Sequence, residues 1–342
     1  MEVEPFTVSL SSPLETAAGR IDTREGFLVY IDYQGAKGVG EATPLPGWTE
    51  SKEECRTALG RAAEIAEELD WGIALRKTDA PAARHGISLA LAEARARASE
   101  QPLYRYLDGD RLVTSVPVNA TIGDQSPAAT ADAAERAVED GFGALKCKVG
   151  ARPLSEDVDR LRAVRERVGD GVELRADANG AWSPERAREA VEAFAAFDVS
   201  YVEQPLPAGD LRGHAALRGG PVDIALDEAL TEHSVADVLA ADAADVLVVK
   251  PMVVGGPDRA HDVATTASEA GVDPVVSTTV DAVVARTGAV HVAASVPDVR
   301  ACGLATGSLL AKDLSADPAP VSDGSIEVPQ GKGLGLPDRP PR

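Results

Sequence analysis

The chain has 342 residues, more than one ordinary domain and enough to bury a large core. Apolar residues make up 44 % and charged residues 26 %, the make-up of a folded protein, and 34 basic against 55 acidic side chains leave a net charge of −21. Such a surface repels nucleic acid, and no apolar run reaches the roughly 18 to 20 residues of a bilayer span, so neither a nucleic-acid nor a membrane partner is expected.

The N-terminus, Met1-Glu2-Val3-Glu4-Pro5, has neither a basic nor an apolar segment, so no signal peptide is read there. Residues 1–50 predict short strands and turns. Gly26-Phe27-Leu28-Val29-Tyr30-Ile31 is β-rich, and Gly35 and Gly38 mark a turn before Val39-Gly40-Glu41-Ala42. A lid is expected over residues 11–25, which include Arg20 and Arg24. Pro44-Leu45-Pro46-Gly47-Trp48-Thr49 is a second loop, with Trp48 at its tip. Ser51 caps a helix through Leu69, with Glu53 and Glu54 in its first turn, and an Ala-rich helix runs from about Pro81 to Ser99. Strands followed by helices make a small α+β unit, residues 1–112.

From about residue 115 strands and helices alternate. Strands are predicted at 115–120, 143–149, 172–177, 200–204, 222–227, 245–250, 274–279 and 302–305. Helices are predicted at 127–140, 155–168, 184–197, 234–241 and 257–270. Eight strands at spacings of roughly 25 to 30 residues, joined by crossover helices, fit a (β/α)₈-type barrel over residues 113–312. A doubly wound sheet is the alternative with the same strand count. The Pro-, Gly- and Asp-rich tail, 313–342, is expected to return to the first unit.

Charged groups fall at the C-terminal ends of consecutive strands, the end that faces the active site of a barrel. They are Lys146 and Lys148, Asp177, Glu203, Asp227 and Lys250. Asp177, Glu203 and Asp227 supply three hard oxygen ligands, which suits Mg²⁺ or Mn²⁺, and no His or Cys accompanies them as zinc would require. Alternate strand residues share a face, so Lys146 and Lys148 point one way and Cys147 the other. Three of only eight lysines thus crowd one site, with Lys250 across the ring. Neighbouring cations and partial desolvation are expected to lower a lysine's pKa toward neutrality and make it a base. Metal bound to a substrate carboxylate would stabilise the enediolate left when such a base removes the adjacent proton.

Lys146-x-Lys148, Asp177-Ala178-Asn179-x-x-Trp182, Glu203-Gln204-Pro205, Asp227-Glu228 and Lys250-Pro251 resemble the enolase superfamily, muconate-lactonizing subgroup. The resemblance runs end to end, including Gly40–Gly47 and the Gly333-Leu334-Gly335-Leu336 tail. It implies a (β/α)7β-type TIM barrel behind an N-terminal α+β capping domain. Within the subgroup the chain is most similar to the o-succinylbenzoate synthases, which dehydrate 2-succinyl-6-hydroxy-2,4-cyclohexadiene-1-carboxylate in menaquinone biosynthesis. Leu304-Ala305-Thr306-Gly307-Ser308-Leu309-Leu310 with Asp313-Leu314 resembles that family's last strand, and Arg175 recurs in some synthases. Dipeptide epimerases carry an Asp-x-Asp at this strand to grip an ammonium, and this strand has none. The resemblance implies Lys148 as base and Lys250 as the cation that stabilises the enediolate. Arg175, Asn179, Thr278, Thr279, Thr306, Gly307 and Trp48 are then the expected substrate contacts. The seventh strand, Val276-Ser277-Thr278-Thr279-Val280-Asp281, departs from the family's Ser-Ser run followed by Glu-Ser.

N-succinylamino acid racemase and muconate-type cycloisomerase use the same lysines and metal and are the enzymatic alternatives. An inactive enolase-like binding protein is the non-enzymatic one. The five histidines lie on helices or connecting loops and are read as structural; none ends strand seven. Three widely spaced cysteines, Cys55, Cys147 and Cys302, point to a reducing, cytoplasmic setting. An acidic, lysine-poor composition reads as that of a salt-loving organism, with an ordinary acidic cytosolic protein as the alternative. The expected partners are a small-molecule carboxylate substrate and further copies of the chain in a homo-oligomer.

Overall fold

A computed structural model describes residues 1–16, 19–109 and 111–337. The first unit is an antiparallel sheet of β1 (Glu2–Thr16), β2 (Gly19–Tyr33) and β3 (Ala36–Ala42), in that order. Helices α1 (Lys52–Glu68), α2 (Trp71–Lys77), α3 (Pro81–Ala98) and α4 (Leu103–Asp108) follow. Ser51 and Glu54 close a reciprocal capping box at the start of α1, which fixes where the loop carrying Trp48 ends. Helix α3 is buried along almost its whole length and lies on β3. Side chains at Gly38 and Gly40 would collide with the α3 backbone at Ala90 and Gly86, so only glycine lets strand and helix approach this closely.

The second unit alternates. Its elements are β4 (Ser115–Pro117), β5 (Ala120–Ile122), α5 (Pro127–Glu139), β6 (Ala144–Lys148), α6 (Leu154–Val168), β7 (Glu173–Asp177) and α7 (Pro184–Phe194). Then come β8 (Val199–Glu203), α8 (Leu211–Leu217), β9 (Asp223–Leu226), α9 (Val235–Ala240), β10 (Val246–Val249), α10 (Pro251–Val254), α11 (Pro257–Glu269), β11 (Asp273–Val276) and α12 (Val283–Ser295). Strands β5 to β11 form a seven-stranded parallel sheet in chain order, each neighbour joined by a crossover. Apolar side chains of these strands and helices make one large core.

Two predicted strands came out differently. The first, 115–120, splits: β4 pairs instead with β13 (Ser325–Glu327), itself paired with β12 (Val321–Ser322). Pro117 has no N–H to continue a ladder and ends β4. The eighth, 302–305, is not a strand. Cys302 bridges Val118 and Gly303 bridges Ser277, one rung each, just beyond the two edge strands of the parallel sheet. The Thr306 amide then bonds the Leu304 carbonyl, which turns the chain away before a longer ladder forms.

The tail runs back to the first unit. Glu93 on α3 accepts from the Leu334 amide, the Leu103 amide bonds the Gly333 carbonyl, and Leu334 and Leu336 pack beside Leu89. The last tail residues, 338–342, lie outside the described residues. Among the described residues no helix is long and apolar enough to cross a membrane.

Candidate active site

Strand register brings the charges together. Lys148 lies opposite Asp177, and Asp177 opposite Glu203, so three charges sit level on β6, β7 and β8. Lys148 Nζ is 2.6 Å from Asp177 Oδ2. Lys146, one layer deeper, reaches Glu203 Oε1 at 2.7 Å and Asp177 Oδ2 at 3.2 Å. Across the sheet Lys250 Nζ is 2.5 Å from Asp227 Oδ2. All three carboxylates are almost fully buried. Cys147, between the two lysines, faces the apolar core as strand parity requires.

Burial raises Glu203, and the charge of Asp177 adds to it, so that Glu203 is pushed up to about 7 despite Lys146. Burial likewise pushes Asp227 up to about 6 against the pull of Lys250. Burial would raise Asp177 too, but Lys146 and Lys148 hold it well below the usual carboxylate range. Glu203 and Asp227 are buried acids short of positive charge, and an all-oxygen donor set with Asp177 suits a hard divalent cation. As the side chains stand, each carboxylate turns to a lysine, and no three His, Cys, Asp or Glu side chains among the described residues clasp a common point. Asp177, Glu203 and Asp227 are the residues that would hold such an ion. Lys146 departs from the expected direction. Burial alone would lower it, but Glu203 and Asp177 raise it well above the ordinary lysine value, because it sits between two carboxylates rather than among cations.

Supporting residues orient this cluster. Asn179, with φ 45°, accepts Lys148 Nζ at 2.8 Å on Oδ1 and donates from Nδ2 to Glu228 at 3.0 Å, so it aims the lysine. Gln204 is fully buried, and its Oε1 accepts the Asp227 and Ala229 amides at 3.0 and 3.2 Å. The sequence flagged Gln204 within a motif without giving it this role; only the fold shows that it fixes the chain carrying Asp227. Trp48 lies over Lys250, with Nζ 3.6 Å from the ring centre. At the next strand end, past the Val249–Val276 pair, the Thr278 and Thr306 hydroxyls meet at 3.0 Å, with Gly307 following Thr306.

Two expected substrate contacts are corrected. Arg175 is fully buried and points toward the N-terminal end of the strands. Its guanidinium donates to Glu173 at 3.0 Å and to the Ala301 carbonyl at 2.6 Å, and it stacks 4.9 Å from the Tyr201 ring. It lies below the site, between the sheet and Ala301. The Thr279 hydroxyl donates to Asp281 at 2.5 Å and has no proton left for a substrate carboxylate. In the expected lid, Arg24 is buried against backbone carbonyls, Arg20 pairs with Asp22 at the surface, and residues 17–18 lie outside the described residues.

Residues 129–338 match the family described as "Enolase C-terminal domain-like", and residues 3–94 match "MenC, N-terminal domain". The chain belongs to the enolase superfamily. It is 30 % identical to the L-Ala-D/L-Glu epimerase of Bacillus subtilis over 98 % of this chain and 95 % of that protein. It is 33 % identical to the o-succinylbenzoate synthase of Thermobifida fusca, over 92 % and 85 % of the two chains. A substrate-liganded structure of the B. subtilis epimerase superposes with a TM-score of 0.88 at 28 % identity, covering 97 % of this chain and 96 % of that one. The dipeptide epimerase of Enterococcus faecalis, solved with Mg and the dipeptide L-Leu-L-Tyr, gives 0.85 at 25 % identity and covers 98 % of each. Members of this superfamily are enzymes that act on small molecules, and the fold and the strand-end charges here are of that kind.

Proposed function

We propose that this enolase-superfamily chain is an o-succinylbenzoate synthase, dehydrating 2-succinyl-6-hydroxy-2,4-cyclohexadiene-1-carboxylate on a (β/α)7β barrel closed by residues 302–303. The observation that supports the choice is the strand end beside Lys250, read here as the pocket wall. Thr278 and Thr306 meet there with one hydroxyl proton left to donate, and the segment Leu304–Leu310 holds no carboxylate. The next acids, Asp313 and Asp317, are bound to Arg286. A free dipeptide brings an ammonium that needs a carboxylate partner in a buried site. A succinyl group brings a carboxylate, which suits hydroxyl donors and lysines.

In this reading Lys148, aimed by Asn179, removes the ring proton next to the substrate carboxylate and returns it to the leaving hydroxide on the same face. Lys250, held between Asp227 and the Trp48 ring, stays a cation opposite the developing negative charge. Lys146 remains charged and sets the spacing of Asp177 and Glu203. A bound Mg²⁺, held by Asp177, Glu203 and Asp227, would supply Lewis-acid stabilisation of the enediolate.

The placement of Lys148 and Lys250 on opposite sides of the site favours a second reading, racemisation of an N-succinyl amino acid, which also lacks an ammonium. Turnover of the cyclohexadiene acid, an N-succinyl amino acid and an unblocked dipeptide, assayed side by side with Mg²⁺, tests the choice. The expected order is the cyclohexadiene acid first and the dipeptide last. A dipeptide epimerised faster than the cyclohexadiene acid is dehydrated would overturn the proposal.

A further inference from the structure

The loop after β11, which carries Thr278, leads into α12, and no side chain of its own caps that helix. The first backbone N–H groups of a helix need acceptors when buried. Here two distant carboxylates supply them. Glu41, at the end of β3 in the first unit, accepts the Ala282 amide at 2.9 Å and the Ala285 amide at 2.9 Å. Asp313, in the C-terminal segment, accepts the Val283 amide at 2.9 Å. Three separate stretches of chain therefore meet at one helix N-terminus, where the helix dipole favours negative charge.

Arg24 adds a second link. Its guanidinium donates to the Thr43 carbonyl at 2.8 Å and the Pro44 carbonyl at 3.2 Å, at the root of the loop that carries Trp48. From the same side chain Nε donates to the Val280 carbonyl at 3.3 Å. Val280 has φ +61°, a left-handed conformation that a β-branched residue adopts only when its surroundings impose it. On one side of Val280, Thr279 is bonded to Asp281; on the other, Ala282 is bonded to Glu41. His85 holds the Glu41 carbonyl at 2.7 Å and the Thr43 hydroxyl donates to its carboxylate at 2.5 Å, so Glu41 is itself fixed from the first unit.

We propose that Glu41 and Arg24 are positioning residues that lock the Trp48 loop and the Thr278–Asp281 wall into one unit. Glu41 and Arg24 would then set the shape of the substrate wall without touching the substrate. The lysine and carboxylate cluster hangs on β6 to β10 and meets this lock at one point, where the Trp48 ring covers Lys250.

Hydrogen exchange on the full chain tests this, comparing wild type with Glu41→Ala, Glu41→Gln and Arg24→Lys. Loss of two cap bonds in Glu41→Ala should speed exchange across residues 278–286 by about tenfold or more, while residues 144–149 and 199–203 keep wild-type protection. Glu41→Gln retains one acceptor and should recover part of that protection. Unchanged exchange at 278–286, or a uniform rise over the whole chain, would overturn the proposal. Failure of Glu41→Gln to fold would overturn it too, since the residue would then serve the fold at large. A second arm, resting on the dehydration reading, measures turnover. KM should rise by about tenfold in Glu41→Ala with kcat within about threefold, and Glu41→Gln should fall between. Equal loss of kcat in both variants with KM unchanged would count against positioning. If wild type dehydrates no cyclohexadiene acid, the functional reading fails while the exchange pattern still decides this one.

Discussion

Trp48 and Lys250 come from opposite units of the molecule, and the lysine ammonium sits 3.6 Å from the centre of the indole ring while it pairs with Asp227 on its other side. Lys250 is thus held between an anion and a π-face. A cation–π contact of this kind contributes roughly 0.5 to 2 kcal/mol depending on how dry the site is. Trp48→Leu should therefore lower kcat/KM by about 2- to 30-fold, and Trp48→Phe, which keeps a weaker π-face, should fall between. Equal activity in all three proteins would remove the ring from the account.

The two lysines should separate under mutation. Lys148→Ala should abolish dehydration, because the proton-transfer group is gone. Lys250→Arg keeps a charge that can still pair with Asp227 and stack on Trp48 but cannot act as a base, so dehydration should persist at a reduced rate. The same variant should lose solvent-deuterium exchange into one enantiomer of an N-succinyl amino acid. Wild-type dehydration in Lys148→Ala would show that the base lies elsewhere.

Metal dependence follows from the three buried carboxylates. Chelation should abolish activity, and Mg²⁺ or Mn²⁺ should restore it. Glu203→Gln should weaken metal binding in calorimetry while the circular dichroism of the fold is kept. Full activity with metal absent by elemental analysis would contradict the assignment.

Glu41 gives a pH dependence with a defined sign. Burial pushes its carboxyl up to about 7 and the charge of Asp281 adds to this, against the Thr43 hydroxyl and the Ala285 and Ala282 amides; Arg24 lies within electrostatic reach of the carboxyl, and His85 meets the Glu41 backbone carbonyl. Its folded pKa lies above the unfolded value near 4.5, so the folded state binds the extra proton between these limits. Stability from this group is present below about 4.5 and declines as pH rises to about 7. The Tm difference between wild type and Glu41→Gln should therefore shift against wild type over that interval. A difference independent of pH would mean that Glu41 does not titrate there.

Salt should stabilise the protein. A net charge of −21 repels itself in dilute buffer, and the Debye length shrinks to about 3 Å at 1 M salt. The Tm should climb between low and molar KCl. A flat or falling Tm would argue against a salt-adapted surface.

The grouping of charged side chains was legible in the sequence because strand parity and strand ends are local properties. Lys146 and Lys148 on one face, and a carboxylate at the end of each of three following strands, follow from period two and chain order alone. Depth and direction were not. Arg175 has the same parity as Asp177, yet its long side chain turns away from the site, because the fold places Glu173 and the Ala301 carbonyl within its reach at the other end of the strand. Helix α12 left no amphipathic signal, since it is buried on every side, and an apolar run of that length has no period to read. The Glu41 cap joins residues 241 positions apart in the chain, and the Trp48 contact with Lys250 likewise spans the two units. Local sequence determined which groups this protein carries to the strand ends; only the packing of the first unit against the parallel sheet and its helices decided which of them are aimed, covered or locked in place.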